Sequence, residues 1–405
     1  MPETAHLKRS LSLPLITFYG LGTIIGAGIY VLIGAVAGKA GMFAPLSFLF
    51  AALIAGFTAF SYAELSSRLP RSAGEAIYVQ EAFGIRWLSV LTGWSVVAIG
   101  LVSSATIANG FVGYLEVFIQ VPEWLAITIL VVMLGLIAAI GINQSVWMAT
   151  AITLIEIGGL VYVLVIAGSN LDQLSGRWMD LIPTFDGTTW NGIFIGAFLA
   201  FYAFIGFEDM VNVAEEVKDA PRLLPKAIII ALIASTLLYL SVAVVAVLSL
   251  PIEVLAASDA PLASVIEATG HHNTLLISFI SLIAVVNGAL IQIIMASRVL
   301  YGMGNTGMAF RIFARVNSHT QTPLISTILI TITILLLALW LPLVTLAQIT
   351  SFITLIIFAG VNLALLKLKL RETHAPGVVH YPVWVPVIGA ILSLVLLGIQ
   401  GIMSV

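Results

Sequence analysis

The sequence predicts an all-α polytopic membrane protein, and three observations support this fold class. Charged residues make up 9% of the 405 residues and hydrophobic residues 60%, whereas about a quarter of a soluble domain is charged. A helix that crosses about 30 Å of hydrocarbon needs about 20 residues, and the chain contains eleven apolar runs of that order. The runs lack the alternating pattern of outer-membrane β-strands, so helices are expected.

The eleven predicted spans leave no stretch long enough for a soluble domain. No signal peptide is expected ahead of them, because the first residues are polar and the first run is too long for one. The spans, numbered one to eleven in chain order, cover about residues 12–38, 43–64, 87–118, 123–141, 147–168, 191–213, 226–250, 274–302, 323–341, 345–366 and 383–403.

The distribution of Lys and Arg predicts the orientation of the spans. With a cytoplasmic N-terminus, fourteen of the sixteen basic residues fall on the inner face, and only Lys39 and Arg177 fall on the outer face. Cytoplasmic loops of membrane proteins carry this excess of basic residues. The sequence therefore predicts a multi-pass protein of the cell membrane (plasma or inner membrane), with the N-terminus in the cytoplasm and, after eleven crossings, the C-terminus outside.

The composition also argues against several functions. The chain has no cysteine, which excludes disulfides, thiolate metal sites and cysteine nucleophiles. It has no His-Glu-x-x-His motif, no paired membrane aspartates and no nucleophile elbow, so an enzyme is not expected. The net charge of −3 gives no reason to expect a nucleic acid partner, and no cofactor is expected. The six histidines fall in predicted loops and support neither a metal site nor a buried relay: His6, His271, His272, His319, His374 and His380.

Spans one and six are interrupted by glycine in the middle of the membrane. Residues 20–28 contain four glycines, and residues 202–209 contain Gly206 followed by two acids. Glycine costs a helix interior about 1 kcal/mol relative to alanine. The interruptions indicate either close helix packing through small residues or discontinuous helices whose freed backbone groups bind a ligand.

The positions of the interruptions predict an internal repeat. Gly26 and Gly206 lie about 180 residues apart, and the next four spans recur at offsets that grow to about 200. Each half has five spans, an odd number, so the second half is inverted relative to the first. We expect residues 1–170 to form the first repeat, 171–370 the second, inverted repeat, and 371–405 an additional eleventh helix. Interrupted helices at equivalent places in inverted repeats favour a transporter site at the midplane.

Four motifs in order resemble the amino acid–polyamine–organocation superfamily. They begin at Gly22-Thr23-Ile24-Ile25-Gly26-Ala27-Gly28-Ile29-Tyr30, continue through Ala63–Glu75 and Phe204–Pro225, and end with Ser297-Arg298-Val299-Leu300-Tyr301 before Gly307. The resemblance implies the five-plus-five inverted-repeat fold of the bacterial leucine transporter, with discontinuous helices one and six. It also implies transport of amino acids or amines by alternating access. The family usually has twelve helices, whereas eleven are predicted here. The resemblance therefore does not decide which contacts a dimer would use or whether the protein forms a homo-oligomer.

A free amino acid carries a carboxylate and an ammonium, and the interrupted helices offer groups for both. A half-helix that begins near Gly26 presents unpaired N–H groups and a positive dipole end to an anion. The resemblance assigns the carboxylate to the N–H groups of Ala27 and Gly28. It assigns the ammonium to main-chain carbonyls on the interrupted backbone, those of Ile24, Tyr202 and Ile205.

Three side chains are candidates for the remainder of the pocket. Ser104 falls near a family pocket position on span three, although its hydroxyl could instead bond to its own helix. Phe204 or Phe207 could close over the substrate as an aromatic gate, or could simply pack. The spans contain no deep cationic side chain, and the pocket is expected to be small and largely apolar. Neutral amino acids are therefore expected as substrates.

Acidic residues deep in a membrane cost about 2.5–3.5 kcal/mol on insertion scales and are usually functional. Glu208 follows the second interruption and matches a family position that is commonly acidic; its alternative role is to bond N–H groups of the broken helix. Glu156 lies near the centre of span five, where the relatives that resemble this chain carry Lys. Three readings stay open for Glu156: a proton-coupling site, a ligand for sodium, or a permanently protonated side chain.

The sequence as a whole predicts a secondary active transporter that imports amino acids, driven by protons. The alternatives are a polyamine or cationic amino acid transporter or exchanger, a sodium-coupled symporter, and a channel. Residues 251–274 are expected to form an outer loop with a short helix, which would serve as a lid or as surface cover.

Overall fold

A computed structural model describes residues 11–71, 74–140, 146–168, 174–270, 274–317, 320, 322–371 and 377–403. Within these ranges the chain is helical and forms no β-strand, which confirms the predicted all-α class. The described residues contain one isolated parallel β-bridge, between Leu11 and Val217. Five of the six histidines, His6, His271, His272, His319 and His374, lie outside the described residues.

The α-helices are numbered in chain order. They are α1 (Leu13–Ile24), α2 (Ala27–Ala40), α3 (Ala44–Arg68), α4 (Gly74–Phe83), α5 (Arg86–Glu116), α6 (Glu123–Ile140), α7 (Val146–Ala167), α8 (Leu174–Arg177), α9 (Gly187–Phe201), α10 (Ala220–Ser249), α11 (Ile252–Ala257), α12 (Pro261–Ala268), α13 (Thr274–Asn305), α14 (Leu324–Trp340), α15 (Leu343–Arg371) and α16 (Trp384–Met403).

In the described part of the chain, nine helical segments are long and apolar enough to cross a membrane, and one of them, Gly28–Arg68, contains both α2 and α3. Two further apolar helices, α1 and α14, are shorter. The protein is therefore a polytopic membrane protein, and the exact count of eleven crossings stays a prediction.

Several helices begin where the sequence supplies a local signal. Pro14, Pro45, Pro221 and Pro261 lie in the first turns of α1, α3, α10 and α12, where the missing N–H is tolerated. Asp186 caps α9 and accepts a bond of 2.8 Å from the N–H of Thr189. α9 and α10 start a few residues before the corresponding apolar runs, at 187 and 220 instead of 191 and 226.

The helices that surround the interruptions pack closely. α13 runs along α5 and α7, α3 runs along α10, and α9 packs against α2 and α3. Small residues allow these approaches, as is usual for helices in a membrane. A Cβ added to Gly100 of α5, for example, would come within 2.9 Å of the Ala296 side chain on α13.

The predicted outer loop contains two short helices, α11 and α12, rather than one. It lies directly on α2 and α5, because a Cβ at Gly34 would come within 2.5 Å of the Leu255 carbonyl oxygen and a Cβ at Gly113 would collide with the Asp259 carbonyl. The loop therefore packs on the C-terminal halves of α2 and α5.

Glu64 of α3 is the centre of a buried charge cluster at the predicted inner face. Its carboxylate lies 2.8 Å from Arg68 Nη2 and 2.6 Å from Lys369 Nζ of α15. It also accepts a bond of 2.9 Å from the N–H of Tyr381, and His380 lies beside it, with Nδ1 at 3.5 Å. The cluster attaches the segment before α16 to α3 and α15.

The first described residues are attached to the segment that follows the second interruption. The N–H of Leu11 donates to the Glu216 carbonyl over 3.0 Å, and the N–H of Lys218 donates to the Leu11 carbonyl over 2.9 Å. Residues 13–24 and 207–216 are thus joined at their ends, although they lie about 200 positions apart in sequence.

Candidate functional site

The backbone departs from helical geometry at both predicted interruptions. α1 ends at Ile24 and α2 begins at Ala27, with Gly26 between them at φ −59° and ψ −142°. α9 ends at Phe201, a 3₁₀ turn follows, and Ile205 is extended. Gly206 then has φ +127°, a region that disfavours residues with a side chain.

The two interruptions contact each other. Thr23 Oγ1 donates to the Gly206 carbonyl over 2.9 Å, and the same oxygen lies 2.9 Å from the Gly20 carbonyl. A Cβ at Gly206 would collide with the Thr23 carbonyl, and a Cβ at Gly28 would collide with the backbone of Ala203. Glycine is therefore required at both positions by close approach of the two segments.

A cavity lies at this meeting point. Its volume is about 30 Å³, room for one or two water molecules, so the cavity is small in this conformation. Five of the predicted binding residues line it: Ile24, Gly26, Gly28, Tyr202 and Ile205. The other lining residues are Thr23, Ser103, Ile107, Gly288, Ile291 and Gln292.

The start of α2 lies at this cavity, because Gly26 and Gly28 line it. α2 begins at Ala27, and Gly26 at its N-cap has no side chain to occupy the free N–H groups of the first turn. A Cβ at Gly26 would meet no atom within 4 Å, so the space in front of the helix end is open. This arrangement can accept an anionic group.

Ser104 lies in a different environment from the one expected. It is fully buried and is not among the residues that line the cavity, because its hydroxyl donates to the Ala289 carbonyl of α13 over 3.2 Å. This bond crosses to a neighbouring helix, so the alternative of a bond within its own helix is also not what is found. The preceding residue, Ser103, lines the cavity with its hydroxyl 3.0 Å from the Tyr202 hydroxyl.

Phe204 and Phe207 are fully buried and do not line the cavity. Phe204 packs edge-on against Tyr239, with ring centroids 5.2 Å apart. Phe207 packs against Tyr62 and Phe358, with centroid distances of 5.6 and 5.2 Å. In this conformation the two rings form the packing around the second interruption.

Tyr239 is a site residue that the sequence reasoning missed. Its hydroxyl donates to the Ile24 carbonyl over 2.6 Å, so a side chain of α10 holds the end of α1. Ile24 is one of the predicted ammonium acceptors, and its carbonyl oxygen keeps a second lone pair for a ligand. The available signal was a tyrosine within an apolar run, since a buried tyrosine hydroxyl usually finds a partner.

Glu156 is fully buried in α7, and no ion pair to it occurs among the described residues. Asn287 of α13 donates from Nδ2 to Glu156 Oε1 over 3.3 Å, and Tyr30 donates to the main-chain carbonyl of Glu156. Within the described structure, Glu156 Oε2 and Asn287 Oδ1 are both buried without a hydrogen-bond partner. A single proton on Oε2 can satisfy both atoms by closing an acid–amide pair.

Glu208 and Asp209 follow the second interruption and are also buried. Glu208 Oε2 accepts a bond of 2.8 Å from the N–H of Gly206, which is the alternative role raised by the sequence. Asp209 Oδ2 accepts a bond of 3.2 Å from Nε2 of Gln292, a cavity-lining residue that the sequence did not single out. The described residues contain no cluster of His, Asp and Glu suited to a metal ion.

Comparison with known proteins adds a family assignment to this geometry. A family model described as "Amino acid permease" matches residues 11–404. Cationic amino acid transporter 4 of Mus musculus is 29% identical over 394 residues, covering 92% of this chain and 61% of the mouse protein. The branched-chain amino acid permease BcaP of Bacillus subtilis is 28% identical over 406 residues, covering 94% of this chain and 85% of BcaP.

A methylthioribose transporter of Bacillus subtilis is 26% identical over 407 residues, covering 95% of this chain and 86% of that protein. The chain thus spans about three fifths of the length of the mouse relative and most of the length of the two bacterial ones. These relatives are transporters and not enzymes, and their names differ in the compound carried.

Proposed function

This chain belongs to the amino acid permease family, and on that premise we propose that it is a secondary active transporter that imports free amino acids by alternating access. The observation that carries the proposal is the meeting of the two helix interruptions at one cavity, through the bond from Thr23 to Gly206. Exposed backbone groups at such a place suit a zwitterion, because N–H and carbonyl groups lie side by side.

The architecture proposed with this function is the five-plus-five inverted repeat. Residues 1–170 and 171–370 would form the two halves, with discontinuous helices one and six, and residues 371–405 would add an eleventh helix. Support comes from the similar places at which α1 and α9 end in the two halves. Eleven crossings of a cell membrane with a cytoplasmic N-terminus remain part of this proposal.

The substrate carboxylate would bind the N–H groups of Ala27 and Gly28 at the start of α2. The ammonium would bind the carbonyls of Ile24, Tyr202 and Ile205, three residues that line the same cavity. The open space in front of Gly26 and the lining by these backbone segments support this orientation. Because the contacts are to the main chain, they suit any free amino acid.

The proposed driving ion is a proton bound at Glu156. The proposal is supported by the two partnerless oxygens of Glu156 and Asn287, which one proton would satisfy together. Glu208 is a second candidate, because protonation of its carboxylate would weaken its bond to the Gly206 N–H. The competing idea is a sodium ion held by the same Glu156 oxygen.

For the substrate side chain we propose a neutral group, since isoleucine and glycine make up much of the lining. The alternative is a cationic amino acid or polyamine, and one observation favours it. The Asp209 carboxyl accepts a hydrogen bond from the lining residue Gln292.

We also propose that α11 and α12 act as an outer lid.

Uptake into proteoliposomes tests the proposal. We expect saturable uptake of at least one free amino acid, accelerated by an inward proton gradient, and counterflow when the vesicles are preloaded. The methyl ester of that amino acid should compete poorly, because it offers no carboxylate to α2. Flux without counterflow would indicate a channel. A requirement for sodium at every pH would indicate that sodium, and not a proton, is the driving ion.

A further inference from the structure

We propose that Gln292 transmits the protonation state of Asp209 to the wall of the substrate cavity and thereby determines whether side chains that donate hydrogen bonds are accepted. When Asp209 is ionised, the wall offers a carbonyl oxygen to the substrate side chain. When Asp209 is protonated, the wall offers an amide NH₂ group. The inference rests on the proposed function, since it concerns the same cavity.

The position of Gln292 carries the first step. The residue lines the cavity yet is only 7% exposed, and its Nε2 donates to Asp209 Oδ2 over 3.2 Å. Within the described structure its Oε1 is buried without a partner. A buried amide oxygen without a hydrogen bond is costly, so a substrate donor that reaches Oε1 from the cavity would supply the bond that is missing.

The chemistry of the amide carries the second step. A carboxylate accepts only, so ionised Asp209 can bond only to the NH₂ side of Gln292, which leaves Oε1 for the substrate. A protonated Asp209 can instead donate its O–H to Oε1 after the amide rotates by half a turn about its terminal bond. Nε2 then takes the place of Oε1 at the wall. The proton comes from water and returns to water, and no heavy-atom bond changes.

A second acid–amide pair on the same helix provides an internal comparison. Asn287 and Gln292 both lie on α13, and each donates to one buried carboxyl group, Glu156 and Asp209 respectively. Only Gln292 of the two amides lines the cavity. The proposed role in side-chain selection therefore falls on Gln292, while the Glu156 pair can load a proton without changing the wall.

The groups around Asp209 favour reversible protonation. Glu208 is its neighbour in the chain, and Glu75 of α4 and Tyr19 of α1 are close enough to interact with it electrostatically. Arg298 of α13 interacts in turn with Tyr19. No salt bridge to Asp209 occurs among the described residues. A buried carboxyl group that shares its surroundings with other acids and has no paired cation takes up a proton readily.

The test compares two ligands of equal chain length on the purified, full-length protein. Lysine and norleucine differ in one terminal ammonium, and both would use the same main-chain contacts. We expect the preference for lysine over norleucine to fall by about tenfold between pH 8 and pH 5.5, the size of one hydrogen bond to a charged group. Binding is measured at equilibrium by tryptophan fluorescence or calorimetry.

Three variants separate this proposal from a general effect of pH. Gln292→Met keeps the size of the side chain but cannot form the bonds, so it should bind norleucine and lose the pH-dependent preference. Asp209→Asn cannot ionise, so its preference should also be independent of pH. Glu81→Gln removes an exposed carboxyl group of α4 that does not line the cavity, and it should keep the wild-type pH dependence of the preference.

The outcomes are distinguishable. A pH-dependent preference that survives in Gln292→Met or in Asp209→Asn would overturn the inference. If one of these variants fails to fold, the other still provides the test. A wild-type preference that does not change with pH, or binding of other amino acids but of neither probe, would also overturn it. If the wild-type protein binds no free amino acid at all, the proposed function itself fails.

Discussion

Thr23 and Gly206 join the two helix interruptions, because the Thr23 hydroxyl donates to the Gly206 carbonyl across 2.9 Å. The two residues are far apart in sequence, and each lies where the backbone leaves a regular α-helix. We expect Thr23→Val, which keeps the shape of the side chain, to reduce stability by about 1 kcal/mol and to reduce uptake more strongly. Thermal unfolding and uptake are measured on the same preparation.

Thr236→Val is the matched control, because within the described structure the Thr236 hydroxyl bonds only to the Leu232 carbonyl of its own helix. It should leave uptake unchanged. Equal losses of uptake in the two variants would mean that the bond between the interruptions has no special role.

A side chain added at Gly26 should weaken substrate binding, whereas one added at Gly28 should lower the stability of the protein. A Cβ at Gly26 meets open space in front of α2, whereas a Cβ at Gly28 meets the backbone of Ala203. We expect Gly26→Val to fold normally but to bind substrate at least about tenfold more weakly, since the space for the carboxylate is filled. Gly28→Ala should lower the unfolding temperature.

Gly158→Val provides the control for this pair, because a Cβ at Gly158 also meets open space but lies on α7, away from the cavity lining. Its binding should equal that of the wild type. Unchanged binding in Gly26→Val would place the carboxylate elsewhere.

Glu156→Gln tests whether the Glu156 carboxyl loads the driving proton. Glutamine resembles the protonated acid in shape and in its ability to donate a hydrogen bond to Asn287. We therefore expect the variant to bind and exchange substrate but to lose acceleration by an inward proton gradient. Glu253→Gln, on the exposed side of α11, should keep gradient-driven uptake. Full gradient-driven accumulation by Glu156→Gln would remove Glu156 as the coupling site.

Glu75 gives the protein a pH-dependent stability. It lies in α4, outside the predicted spans, and burial raises its pKa from 4.5 to about 7 against the opposing bond from Tyr62. The folded state therefore favours the protonated acid, so its contribution to stability is fully present below about pH 4.5 and is lost as the pH rises through about 7. Glu75→Gln should be more stable than the wild type at pH 8, by up to about 3 kcal/mol.

The two proteins should have the same stability near pH 4.5, as measured by thermal unfolding in detergent over a series of pH values. Glu81→Gln, on the exposed side of the same helix, should keep the wild-type profile. A Glu75→Gln profile with the wild-type slope would mean that Glu75 ionises freely in the folded state.

The sequence predicts the helices well because length and hydropathy are local properties. The glycines of residues 20–28 mark the stretch in which Gly26 separates α1 from α2, and Gly26 and Gly28 of that stretch line the cavity. The side-chain walls were less predictable. Ser103 and Ser104 are adjacent on α5, and the rotation of this helix about its axis determines which of them faces the cavity. Sequence alone does not fix that rotation to within one residue.

Tyr239 and Gln292 could not be identified from the sequence for a related reason. Each acts through a partner more than 80 residues away, Ile24 and Asp209 respectively. A lone tyrosine or glutamine in an apolar run has no partner until the packing of the helices is known. For Phe204 and Phe207, the neighbouring glycine in the sequence suggests an aromatic gate. Their contacts with Tyr239 and Phe358 come from other helices, so the sequence alone does not reveal them.

The pairing of Leu11 with residues 216–218 has a mechanical consequence. Together with the bond from Thr23 to Gly206, it fixes α1 to the segment 206–218 at two points, one at each end of the helix. A 12-residue helix is about 18 Å long, so two attachments at this separation prevent it from swivelling on either one. α1 and the segment 206–218 are therefore expected to move as one body, although about 200 positions separate them in sequence.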